Sequence, residues 1–405
     1  MKVLTGKYIT DVSGFMASGI SSGVKKSGKK DLGLLYSKKP CVAAATFTSN
    51  KVKAAPIYIN IEHLEKDFIQ GIIVNSGNAN ACTGNLGLEN ARSMVEETAK
   101  GLKIPVESVL VSSTGIIGLP LDMEKILPGI KKACKEISTN GGKDMAMSIL
   151  TTDTFIKTIT VEINLGGKDV RLSGIAKGSG MIHPNMATML SFIVTNANIS
   201  KEHLNKLFKE SVEDSYNMVS VDGDTSTNDM AVILANATAE NLPIEENKEF
   251  SNEFKKALNY VNKELAKMIA KDGEGATRLI EVSVINAKSK KDAKEIARSV
   301  VSSNLVKTAI FGSDANWGRI MCAIGYAKAN CDISKVDLFF KNSVGELKLV
   351  EDGQPVYFDE SYGKKILEAP FVNITINLKE GNYEATAWGC DLTYDYVRIN
   401  GEYRS

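Results

Sequence analysis

The sequence predicts an α+β fold in which packed β-sheets are flanked by helices. Three observations carry that prediction. Alternating apolar and polar residues recur, as in Ile159, Val161 and Ile163, which marks half-buried strands. After residue 188, apolar residues fall at helical spacing in three separate stripes. The length of 405 residues exceeds one typical domain and leaves ample material for a large core.

In chain order, strands are expected at 41–48, 71–74, 109–112, 155–163 and 170–175. The run Met189-Leu190-Ser191-Phe192-Ile193-Val194 reads as a buried strand. A helix follows, with Leu204, Leu207, Phe208 and Val212 on one face and Ser200 as its N-cap. Phe250, Phe254, Leu258, Val261, Leu265 and Met268 make a longer stripe, which Gly273 is expected to stop. Ala293, Ile296, Ala297 and Val300 make a third. Strands return at 279–285, 371–376 and 383–387. Sheets covered by helices suit this mixture.

Composition excludes several function classes. A hydrophobic share of 43% and a charged share of 24% describe an ordinary soluble protein. The net charge of +1 gives no electrostatic case for nucleic acid or an anionic membrane. Lysine runs such as Lys25-Lys26 and 288–291 are interrupted by neutral residues or acids, so they read as solvated faces. No apolar run approaches the ~20 residues of a membrane span. The stretch Met1 to Lys7 has no apolar signal core, so the expected location is the cytoplasm. Six dispersed cysteines without a Cys-x-x-Cys pair imply free thiols. His63, His183 and His203 lack metal-ligand spacing, so no metal is expected. Asp222, Asp224 and Ser226 alternate as in a calcium loop, but Thr227 and Ile233 stand where glycine and glutamate are needed. These side chains are expected to brace a turn instead. There is no Walker-type phosphate loop.

The most informative stretch is Lys177-Gly178-Ser179-Gly180-Met181-Ile182-His183-Pro184-Asn185-Met186-Ala187-Thr188-Met189-Leu190. Glycines and a proline crowd ahead of a small residue, a threonine and a buried strand. A chain that cut itself between Ala187 and Thr188 would give Thr188 a free amino group, placing nucleophile and base in one residue. On the local sequence alone, a strand-edge threonine in a glycine-rich turn is the better reading.

That stretch resembles the cleavage-site signature of the ornithine acetyltransferase family, the glutamate N-acetyltransferases. Further blocks follow in the family's order: 75–84 (Asn75 to Gly84), 112–118 (Ser112 to Gly118), 222–229, 272–277, 311–319 and the ending 396–405. The resemblance covers essentially the whole chain, and several ordered blocks are far more specific than one glycine motif. It implies sheets sandwiched between helical layers and self-cleavage into two chains, 1–187 and 188–405. No cofactor is implied. The implied substrates are N2-acetylornithine and L-glutamate, with acetyl-CoA as a possible further donor, and the implied assembly is a heterotetramer of two chains of each kind.

Site residues follow from the same resemblance. Thr188 is the expected nucleophile. Thr114 and Gly115 are the expected oxyanion hole, since a hydroxyl and a glycine amide can both approach a developing charge closely. Lys177 is expected to face a substrate carboxylate, the alternative being an ordinary exposed lysine. Glu274 is expected at the ornithine ammonium. Asn400, Ser405 and either Thr151 or Thr152 complete the substrate contacts. Asp314 is a possible cap of a helix whose N-terminus faces an anion. A related amidase or aminopeptidase, with water as acceptor, is the alternative activity.

Overall fold

The long strand Leu32–Phe47 organises the first half of the molecule. In this computed structural model, which describes residues 1–183 and 189–402, its second half pairs antiparallel with Met230–Ala235. Its first half pairs with Phe15–Ile20 on one side and Ile69–Asn78 on the other. The register breaks between Tyr36 and Cys41, and a break of this kind bends a strand. One sheet therefore runs from Lys2–Val3 through Lys157–Leu165, Lys168–Lys177, Leu190–Thr195 and Met230–Ala235, crosses the long strand, and ends at Ile69–Asn78 and Val109–Ile116.

Side-chain alternation shows how this sheet doubles over. Phe15, Leu35, Ile72, Val74 and Leu110 share one core with Ile175, Phe192, Val232 and Leu234. Their sequence neighbours point the other way. Leu34, Ile73, Val109 and Val111 bury against Met94, Val95, Ile126 and Ile130 of helices Gly84–Leu102 and Met123–Glu136. Val161, Leu172, Ile193 and Ile233 bury against Leu204 and Phe208 of Lys201–Glu213 and against Leu258, Val261 and Leu265 of Lys248–Lys271. The layers are thus helix, sheet, sheet, helix. Each fully buried aliphatic or aromatic side chain contributes ~1.5–3 kcal/mol to holding them together.

A second sheet of seven strands lies beyond the Lys248–Lys271 helix and shares its core. Leu279–Ala287 is sandwiched between Phe371–Asn377, parallel to it, and Tyr383–Cys390, antiparallel. Only one face is packed: Ile280, Val282 and Val284 are buried while Leu279, Glu281 and Ser283 are half-buried.

All the expected strands and helical stripes are present; most ends move by a few residues, but the strand expected at 41–48 is the second half of one that begins at Leu32. Ser200 caps its helix by accepting the His203 amide. Two expectations are corrected. The long helix ends at Lys271 with Asp272 as C-cap. Gly273 has no left-handed backbone; it is glycine because a Cβ there would sit 2.5 Å from the Cys390 sulfur. Asp314 is not a cap either, since Asn316 caps helix Trp317–Gly325 by accepting the Arg319 amide. The six cysteines form no disulfide. Among the described residues, no helix is long and apolar enough to cross a membrane.

Candidate active site

The strand ends at the edge of the doubled sheet converge on one place. Val109–Ile116 lies parallel beside Ile69–Asn78, with Gly115 opposite Gly77. Both glycines have positive φ, +130° and +105°. A Cβ on Gly115 would lie 2.4 Å from the Gly77 carbonyl carbon, so the backbones touch and no other residue fits. The asparagine-rich block around Gly77 is a frame for this contact. The Asn75 side chain donates to the Asn78 carbonyl at 2.9 Å and accepts from Ser113 Oγ at 2.6 Å. From the other side, Asn228 Nδ2 donates to the Ala79 and Ser113 carbonyls at 2.5 and 2.8 Å. The backbone carrying Thr114 and Gly115 is thereby held from both flanks.

Lys177, the last residue of its strand, reaches the same point. It is 3% exposed, which rules out the ordinary surface lysine. Its Nζ donates to Thr114 Oγ1 at 3.5 Å. Among the described residues, no carboxylate lies within ion-pair distance of that ammonium. Burial lowers the Lys177 pKa, Asp153 opposes the shift, Lys157 adds to it, and Glu274 and Asp229 oppose it more weakly. The cation is paired only at long range, so an incoming carboxylate would relieve it.

The loop after Lys177 ties the remaining candidates together. The Gly178 amide donates to Asp153 Oδ1 at 2.7 Å. Ser179 Oγ is 2.6 Å from Thr152 Oγ1, and the Ser179 carbonyl accepts the Glu274 amide at 2.8 Å. A Cβ on Gly180 would strike the Glu274 carboxyl at 2.4 Å. Glu274 Oε2 in turn accepts from Asn400 Nδ2 at 2.8 Å, so the two expected substrate contacts meet across 126 positions of sequence. Thr152 spends its hydroxyl on Ser179, whereas Thr151 binds Asp153 through its amide and lines an adjoining cleft. Ala187, Thr188 and Ser405 lie outside the described residues.

Three further features carry the site without having been singled out as site residues. Lys157 is buried between Asp153 at 2.6 Å and Asp272 at 2.5 Å. Burial disfavours the Asp153 carboxylate, but Lys177, Lys157 and the Gly178 amide outweigh it and hold the group well below the usual range. The i, i+4 spacing of Asp153 and Lys157 was the available clue. Asp229 is fully buried, and its Oδ1 accepts the Met189 amide, one residue beyond Thr188, at 3.0 Å. Its Oδ2 has no partner among the described residues, and burial pushes its pKa well above the ordinary carboxylate value. Asp222 accepts the Met181 and Ile182 amides at 2.5 and 2.9 Å. It therefore braces the entrance to the segment expected to be cut, as the alternating acids suggested. Among the described residues, no cluster of His, Cys, Asp and Glu could hold a metal ion.

The model of the ArgJ family matches residues 16–405. Arginine biosynthesis bifunctional protein ArgJ 1 of Clostridium acetobutylicum is 57% identical over 405 residues, covering 100% of this chain and 99% of its own. The ArgJ protein of Caldanaerobacter subterraneus is 55% identical over 405 residues and 100% of both chains. A crystal structure of the ArgJ protein from Bacillus halodurans has 46% sequence identity and a TM-score of 0.51, covering 53% of this chain and 100% of that one. The chain belongs to the ArgJ family.

Proposed function

We propose that this protein is a self-cleaving acetyltransferase of arginine biosynthesis that moves acetyl from N2-acetylornithine to L-glutamate. In the precursor, Thr188 Oγ attacks the Ala187 carbonyl, the acyl group shifts from nitrogen to oxygen, and water releases the Thr188 amine. That α-amino group, with an ordinary pKa of ~7.7–8.0, accepts a proton near neutrality. In turnover, Thr188 Oγ attacks the acetyl carbonyl. Thr114 and the Gly115 amide stabilise the oxyanion, a task in which one donor is worth ~10²–10³ in rate. Ornithine leaves with the proton from the Thr188 amine, and the glutamate amine then takes acetyl from the threonine ester.

The observation that carries this reading is Lys177. A buried ammonium with no carboxylate of its own among the described residues, 3.5 Å from Thr114 Oγ1, suits a substrate that brings an α-carboxylate to the acyl-transfer point. Both substrates have one. Glu274, held by Asn400, suits the ornithine ammonium; Ser405 and the Thr151–Thr152 pair supply further contacts. The Bacillus halodurans chain is matched in full over 53% of this one, close to the 218 of 405 residues that follow Ala187, which supports two chains. We further place the enzyme in the cytoplasm as a heterotetramer, without cofactor. We include acetyl-CoA as a second donor in this reading.

The test is isotope exchange. With N2-acetylornithine, labelled ornithine and no glutamate, label should enter acetylornithine, because the acetyl-enzyme forms before glutamate binds. Absence of exchange in a preparation that turns over with glutamate would refute the covalent intermediate.

A further inference from the structure

The acetyl-transfer steps above leave one buried acid idle. Asp229 is fully buried, one residue ahead of the strand Met230–Ala235. That strand runs parallel beside Leu190–Thr195 with Met230 opposite Leu190. The register therefore sets Asp229 opposite Met189, and its Oδ1 accepts the Met189 amide at 3.0 Å. The preceding residue, Asn228, clamps the Ala79 and Ser113 carbonyls. Two consecutive residues thus hold the strand that carries Thr114 and the residue that follows Thr188. The Met189 nitrogen is three covalent bonds from the Thr188 nitrogen, a span of at most ~4 Å whatever the dihedrals between them. The Asp229 carboxyl accordingly stands within about 7 Å of the nitrogen at which the chain is expected to part.

The second oxygen of this carboxyl is the free one. Among the described residues, Oδ2 has no hydrogen-bond partner. The neighbouring Thr48 hydroxyl is committed elsewhere: it donates to the Ser226 carbonyl at 2.6 Å and accepts the Asn50 amide at 3.1 Å. Among the described residues, Lys177 is the charged group that acts on the carboxyl, and its pull is weaker than the effect of burial. Burial raises the pKa of the group well above the ordinary carboxylate value. With Oδ1 taken by an amide hydrogen, the proton of the neutral acid belongs on Oδ2. A neutral acid with its proton on the open oxygen is equipped to give that proton away.

We propose that Asp229 is the acid of self-cleavage, protonating the Thr188 nitrogen as the Ala187–Thr188 bond breaks. The inference rests on the self-cleavage reading above. Thr188 Oγ forms a bond to the Ala187 carbonyl carbon, and the carbon–nitrogen bond breaks. Asp229 Oδ2 gives its proton to the departing nitrogen, and the carboxylate takes up the proton that Oγ loses. Asp229 ends the step as it began it, beside an ester and a free amine. An amide nitrogen leaves poorly until it is protonated, so a buried neutral acid serves this step where a carboxylate would not.

The experiment follows the full chain, made by cell-free synthesis with a short pulse of labelled amino acid, as the 43.8 kDa species turns into fragments of about 20 and 24 kDa. Wild type and Asp229→Asn are compared at several pH values. Asp229→Asn keeps an oxygen for the Met189 amide and should cut ~10²-fold or more slowly. The wild-type rate should be level where the carboxyl is protonated and fall as it ionises, a fall that the Asn variant should lack. Asp229→Asn cutting as fast as the wild type would overturn the assignment. So would a wild-type rate that climbs throughout the pH range in which the chain stays folded, a result that needs no variant to fold. A wild type that never cuts would overturn the self-cleavage reading itself.

Discussion

Two buried lysines stand close together in this molecule and do opposite things. Lys157 is clamped between two carboxylates, and those carboxylates are themselves saturated: Asp153 by the Thr151 and Gly178 amides, Asp272 by the Thr154 amide and hydroxyl. Among the described residues, Lys177, also buried, hydrogen-bonds only a threonine hydroxyl, at the long end of hydrogen-bond range. The paired cluster fixes where the 151–157 segment meets the end of the long helix. The unpaired cation is costly to the fold, and its natural compensation is a ligand. Satisfied buried charge belongs to the scaffold here, and Lys177 is the buried charge left for the proposed site.

Breaking the paired cluster should have the largest effect on folding. Lys157→Met leaves two buried carboxylates without their cation, and stability should drop by about 3–5 kcal/mol in denaturant titration. A loss under about 1 kcal/mol would mean that the amides alone hold the acids, and the contrast would collapse. Lys177→Met should behave the other way round. Removing an unpaired buried charge should leave stability unchanged or raise it by about 1 kcal/mol. Acetyl transfer should nevertheless fall by ~10² or more in kcat/KM, because the substrate carboxylate loses its partner. If Lys177→Met unfolded as readily as Lys157→Met, Lys177 would belong to the scaffold.

The smallest effect is read as a slope. Asp229 is the acidic counterpart of Lys177: it is buried, and its Oδ2 has no hydrogen-bond partner among the described residues. Burial raises the pKa of its carboxyl above the ~3.9 at which the unfolded chain ionises it. The folded state therefore binds the extra proton, and this group makes stability fall as pH rises from that value. Asp229→Asn retains an oxygen for the Met189 amide and has no proton to lose. Its stability relative to wild type should be near its lowest around pH ~4 and should increase towards neutrality. Thermal unfolding at several pH values would show this, and a difference independent of pH would mean that Asp229 is ionised in the fold.

The elements were legible in the sequence because they depend on local periodicity. Ile159, Val161 and Ile163 alternate, Leu204, Leu207 and Phe208 share a helix face, and Ser200 is a cap, whatever the remainder of the chain does. What was illegible depends on distant partners. Gly273 looked like a helix stop, and only the approach of Cys390 reveals why it has no side chain. Asp153 and Asp272 share one lysine across more than a hundred positions, and no spacing rule connects them. Asp314 and Asn316 are both good caps by composition, and the backbone chose the one whose oxygen meets the Arg319 amide. For the site itself, resemblance implies Thr114 as an oxyanion-hole residue and Lys177, Glu274 and Asn400 as substrate contacts, and the fold places Thr114 beside Lys177 and Glu274 beside Asn400.

The most direct test of the central claim, that a liberated Thr188 carries the acetyl group, is intact mass under denaturing conditions before and after brief exposure to N2-acetylornithine. The account predicts two chains of about 20 and 24 kDa by residue share of the 43.8 kDa total, with the heavier one gaining a single acetyl group that glutamate removes. A single 43.8 kDa species that turns over normally, or an acetyl group found only on the lighter chain, would contradict it.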